Sequence, residues 1–166
     1  MGINEVQRLL AQQKYREAAR LLDGLLSSDN ENGELWYLRA VASLKMKNYD
    51  AVQEYLERAL FTGKKARYYQ MKGMAYFEIF ELEPAIESFQ EALALEPADV
   101  TSNFFIAICY MLLDDPRSAD YIKKARTVNG KKTRQLLLNF YTLFLKDDPY
   151  ISDALKRRMM KRIKTI

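Results

Sequence analysis

Apolar and polar positions along this chain follow a helical period that restarts about every 33 residues. From Trp36, the positions Trp36, Ala40, Ser43 and Met46 fall on one face at spacings of 4, 3 and 3. A second run carrying Val52, Leu56 and Ala59 predicts a helix that starts near Tyr49. No segment shows the period of two that a half-buried strand requires, so the pattern predicts an all-α chain. Prolines agree with it. Pro84 sits where a first-turn proline is tolerated, Asp115-Pro116 and Asp148-Pro149 read as N-cap plus first helical residue, and Pro97 follows Leu95-Glu96, where a helix should end.

The restarting pattern is an internal repeat. Lys47-Asn-Tyr-Asp-Ala-Val-Gln-Glu-Tyr-Leu-Glu-Arg-Ala-Leu60 echoes the segment from Phe80 to Leu93, and fainter copies run from Lys14 to Leu22 and from Pro116 to Ala125. Small residues recur at Ala40, Gly73 and Ala107, and again at Ala59, Ala92 and Ala125. The larger series Leu22, Leu56, Phe89, Ile122 advances by 34, 33 and 33 residues. A helix-turn-helix unit of this length, with Trp, Gly or Ala, Tyr, Ala, Phe, Ala and Pro in this order, resembles the tetratricopeptide repeat (TPR). Residues 66–99 carry it best, through Tyr69, Gly73, Tyr76, Ala85, Phe89, Ala92 and Pro97. Residues 33–65 depart from it at Ser43 and Lys64. Residues 100–130 depart at Asn103, and the first unit, about 1–32, lacks the start of its first helix.

The resemblance implies a right-handed superhelical α-solenoid over residues 1–130, with small residues admitting close helix contact and Trp36, Tyr69, Leu56 and Phe89 filling the space between units. Such an array needs caps. Residues 131–166 read as a degenerate fifth helix pair in that role, with helices over about 131–146 and 149–164. The first is apolar nearly all round through Leu136, Leu137, Leu138, Phe140, Tyr141, Phe144 and Leu145, which predicts cover on both sides. The second has the stripe Ile151, Leu155, Met159, Ile163 and a basic remainder.

Composition narrows the chemistry. The 166 residues include no His, one Cys (Cys109) and six Gly, so no His-based acid–base or metal site, disulfide framework or glycine-rich phosphate loop can be written. Carboxylate pairs such as Glu54/Glu57 and Glu87/Glu91 fall on outer helix faces, and Cys109 falls on a packed one. The sequence therefore predicts a non-enzyme without cofactor or metal. The amino terminus has no secretory pattern, and the longest apolar run, Leu136 to Leu145, is far short of the roughly 20 residues of a bilayer span. Both points lead to the expectation of a cytoplasmic protein.

By the resemblance, first helices line the concave surface. The rows Tyr37, Val41 and Leu44, then Gln70, Met74 and Phe77, then Phe104, Ile108 and Met111 hold eight apolar or aromatic residues of nine. They predict a groove for an apolar helix or extended segment of a partner protein. The alternatives are that these residues touch one another as core, or that the chain's own end or a second copy fills the groove. Chaperone tails clamped by their terminal carboxylate are not the expected partner, because the clamp positions hold Ile3, Gln7, Leu38, Arg67 and Met71 in one frame and Tyr37, Val41, Met71, Thr101 and Phe105 in the other. Charge adds a second candidate. Residues 1–100 hold 12 Lys+Arg against 16 Asp+Glu, a balance of −4, and residues 101–166 hold 14 against 6, a balance of +8. Lys156, Arg157, Arg158, Lys161, Arg162 and Lys164 make a basic patch that suits RNA, an anionic membrane or an acidic protein.

Overall fold

In the computed structural model, which describes residues 2–165, the helix pairs of the four predicted repeats close through the same turn. The first helix of a pair ends with a residue in the left-handed region: Gln13 (φ 60°), Lys47 (φ 58°), Phe80 (φ 66°) and Asp114 (φ 55°), spaced 34, 33 and 34 apart. In each turn the next amide donates to a carbonyl five residues back, as Lys14 to Leu9, Asn48 to Ser43, Glu81 to Tyr76 and Asp115 to Tyr110. The left-handed residue itself donates three back, giving the Schellman pattern that satisfies the last carbonyls of a helix. The repeat is thus written in the backbone as well as in the side chains.

The helices are α1 (Ile3–Ala11), α2 (Tyr15–Ser28), α3 (Gly33–Lys45), α4 (Tyr49–Thr62), α5 (Ala66–Glu78), α6 (Leu82–Leu95), α7 (Val100–Leu112), α8 (Arg117–Phe140), a π-helical segment Tyr141–Leu145, and α9 (Asp153–Lys164). No strand occurs among the described residues. Asn32 caps α3 through the amides of Glu34 and Leu35, and Asp99 caps α7 through Ser102.

The chain divides into two units, 1–95 and 96–166. In the first, each helix packs on its successor, and α3 also touches α1 and α5. Among the described residues its core includes two clusters. Val6, Leu22, Leu26, Leu35 and Leu38 form one, and Ala40, Leu44, Val52, Leu56, Ala59, Tyr68 and Ala75 form the other. Trp36 and Tyr37 border both, which is why α3 is buried on several sides. Ala40, Ala59 and Ala92 are wholly buried, and a Cβ on Gly73 would stand 2.8 Å from the Phe89 ring.

In the second unit α7 packs on α8, and α8 on the π-helical segment and α9. Three expectations change here. The helix expected from about 131 does restart there, after the non-helical Asn129 (φ −157°, ψ 94°), whose Oδ1 accepts from the Lys132 amide as an N-cap does, but it follows its predecessor with no intervening loop. The last helix begins at Asp153, capped by Ser152, because Asp148 is used in a turn that accepts from Tyr150. Cover on both sides of the apolar segment is not seen: Tyr141 is buried, but Leu143 is 75% and Phe144 57% exposed.

Candidate functional site

In the first unit the first-helix face centres on a stacked pair. Tyr37 of α3 lies over Tyr68 of α5 with ring centroids 5.2 Å apart. The Arg67 guanidinium sits 5.0 Å from the Tyr37 ring and 5.5 Å from that of Tyr68, and it pairs with Glu34. Burial raises the Tyr37 hydroxyl above its usual pKa, against the opposing pull of Arg67. The Tyr68 hydroxyl is buried with no hydrogen-bond partner among the described residues. Beside this pair Val41, Gln70, Met74 and Phe77 are half-buried, and Tyr37 and Met74 pack on the same buried cluster. Leu44 belongs to that cluster itself at 7% exposure.

The other three groove candidates lie in the second unit. Phe104 is 2% and Ile108 3% exposed, so both are core residues of α7, whereas Met111 is 46% exposed. Periodicity could not separate these cases, because α7 is apolar on nearly every face and a pattern of that kind does not say which face stays open. The basic candidates all lie on α9: Arg157, Arg158, Lys161, Arg162 and Lys164 are exposed and Lys156 is half-buried.

One arrangement escaped the sequence reading. Arg39 reaches from α3 to Asp23 of α2 at 2.7 Å and covers the Tyr55 ring at 4.8 Å. Tyr55 stacks on Trp36 at 5.7 Å, and Arg58 covers Trp36 at 4.8 Å while pairing with Glu54. The Trp36 indole N–H donates to the Asn30 carbonyl at 2.7 Å. This ladder of arginines and rings joins three helices, with Trp36 stacked against α4 of its own unit as well as bordering the preceding cluster. The only sequence signal was Arg39 and Arg58 lying near aromatic positions, and that signal appears on any charged helix.

Nothing in these contacts assembles a catalytic group. Among the described residues no cluster of His, Cys, Asp or Glu could hold a metal ion, and Cys109 is buried. No helix is long and apolar enough to cross a membrane.

Two family models, each described as tetratricopeptide repeat, match residues 9–75 and 66–99. A TPR repeat-containing protein of Methanocaldococcus jannaschii is 22% identical over 108 residues, which are 65% of this chain and only 19% of that protein. The chain thus spans about a fifth of that relative's length. Among solved structures, MamA superposes with a TM-score of 0.73 at 18% identity, over 99% of this chain and 92% of that one. YrrB, described as a TPR protein with an unusual peptide-binding site, gives 0.68 at 15% identity, over 98% and 83%. At these identities the structural likeness speaks for the fold, an α-solenoid of helix pairs. Four repeated Schellman turns, the buried small residues at repeat spacing and two matches that together run from residue 9 to 99 lead to one conclusion: the chain belongs to the tetratricopeptide repeat family.

Proposed function

We propose that this chain is a non-enzymatic protein-interaction module whose first-helix face in α3 and α5 takes an apolar segment of a partner protein. The observation that carries this reading is the half-buried row Tyr37, Val41, Met74 and Phe77, of which Tyr37 and Met74 pack on a buried cluster. Half-buried apolar side chains on a rigid base already have little freedom to lose, so covering them gains burial at small entropic cost. Each large side chain fully covered contributes about 1.5–3 kcal/mol of gross burial. Two features suit a peptide in particular. Met74 adapts to varied apolar shapes, and Gln70 beside it offers both a donor and an acceptor to an exposed main chain. YrrB, similar in fold, carries a peptide-binding site by its description. Leu44 belongs to the buried cluster beneath the row, whereas in the second unit Phe104 and Ile108 are core and Met111 is exposed.

The test is affinity capture with wild type, Met74→Glu and Phe61→Glu side by side, each verified as folded by circular dichroism. Phe61 is 94% exposed on α4, away from the row, and receives the same charge. The expected result is a captured protein lost with Met74→Glu and kept with Phe61→Glu. Equal capture by all three would sink the proposal.

A further inference from the structure

Along α9, Asp153, Lys156, Arg157, Met160, Lys161 and Lys164 recur at intervals of three and one, which puts them on one helix face. Together with Tyr141 of the π-helical segment they line a hollow of about 530 Å³. Four cations face it and one carboxylate. In the repeats, four arginines are met by acids: Arg39 by Asp23, Arg58 by Glu54, Arg67 by Glu34 and Arg117 by Asp115. Among the described residues none of the six cations of α9 has an ion-pair partner. Like charges four apart on a helix, such as Arg157 and Lys161, repel one another. A multiply charged anion entering the hollow relieves that repulsion.

We propose that this hollow binds clustered phosphate groups, carried either by a polyphosphorylated lipid headgroup or by a soluble polyphosphate. Lys156 and Lys164 lie about 12 Å apart along the axis with Arg157 and Lys161 between them on the same face, so a ligand that carries several phosphates meets more than one cation. Single-stranded RNA is disfavoured, because the one aromatic ring of the hollow, Tyr141, is only 8% exposed and offers no face for a base to stack on. A hollow this short also gives an acidic helix little to lie along.

The test uses the full chain and inositol hexakisphosphate, followed by calorimetry. Arg157→Gln with Lys161→Gln removes two charges inside the hollow. Arg158→Gln with Arg162→Gln removes two charges from the same helix outside it. The first pair is expected to weaken binding by about 30-fold and the second by less than about 3-fold, while Asp153→Asn tightens it by about 5-fold. Equal losses in the two pairs overturn the proposal, because they mark a diffuse field. Absence of wild-type binding overturns it too, as does stronger binding of polyuridine or a polyglutamate peptide at the same salt. Vesicles separate the two phosphate sources. Preference for phosphatidylinositol bisphosphate over phosphatidylserine at equal charge marks a lipid headgroup, and no preference alongside tight inositol hexakisphosphate binding marks a soluble ligand. Met74→Glu is expected to bind inositol hexakisphosphate as wild type does, so this site and the first-helix face succeed or fail separately.

Discussion

Gln13, Lys47, Phe80 and Asp114 hold left-handed backbone that a side chain disfavours by about 1–2 kcal/mol, although Asp tolerates it better. Phe80 is 68% exposed, so its ring repays little of that cost. Phe80→Gly is expected to raise stability by roughly 0.5–1 kcal/mol after the entropy glycine adds to the unfolded chain, and Asp114→Gly by less; urea denaturation measures both. Gly73 is the opposite case. The Phe89 ring beside it is wholly buried and cannot yield to a new methyl, so Gly73→Ala should cost about 1–3 kcal/mol. The preceding repeat holds Ala40 and Leu56 at the corresponding positions, which predicts that Phe89→Leu recovers part of the loss in the double variant. The small position could be read from spacing. The reason it is Gly in one repeat and Ala in the next is the size of the ring opposite.

Helix ends show a competition between signals of similar strength. Asp148-Pro149 and Ser152-Asp153 are both good starts, and the chain spends the first on a turn, with the Ile151 amide donating to the Asp148 carbonyl. Asn129 was not named as the cap of the helix expected from about 131, yet it starts that helix by accepting from the Lys132 amide while its carbonyl accepts from the Thr133 hydroxyl at 2.9 Å. Asn129→Ala should cost about 1 kcal/mol, with a loss of helix signal in residues 130–140 followed by amide exchange. An ordinary surface Asn, by contrast, would give a change near zero. At the Leu136–Leu145 stretch the pattern called for cover all round, and Leu143 and Phe144 remain exposed. Hydrophobic density fixes that a helix forms there, but which side finds a neighbour depends on where the next helix docks.

Across the whole molecule, charge and titration set the response to solution conditions. With no His, no side chain of ordinary pKa titrates through the middle of the neutral range, so the thermal midpoint should stay level between about pH 5.5 and 7.5. At the alkaline end Tyr37, raised chiefly by burial, keeps its proton longer folded than unfolded. Its contribution is present below the unfolded value near 10 and is lost as pH climbs through the higher folded one. At the acid end the Arg117 side chain holds the Asp115 carboxyl below its usual range. That contribution is present above the unfolded value, about 4, and is lost as pH falls through the folded one. Midpoints measured across pH check both directions, and Tyr37→Phe should flatten the alkaline fall.

The sequence by itself determined what depends on near neighbours along the chain. Helical period, a repeat of 33–34 residues, the small positions Ala40, Gly73 and Ala107, and the TPR resemblance all follow from spacing, because spacing decides which side chains share a helix face. The basic character of the end was equally legible. Tertiary structure alone decided which of those faces remain open. Tyr37 and Met74 stay half-buried while Phe104 and Ile108 are core, although all four satisfy the same pattern. It alone joined Asp23, Arg39, Tyr55, Trp36 and Arg58 into one ladder, and it set four unpaired cations around a single hollow. Exposure and pairing depend on residues that are distant in the chain and close in space, and no local pattern carries that distance.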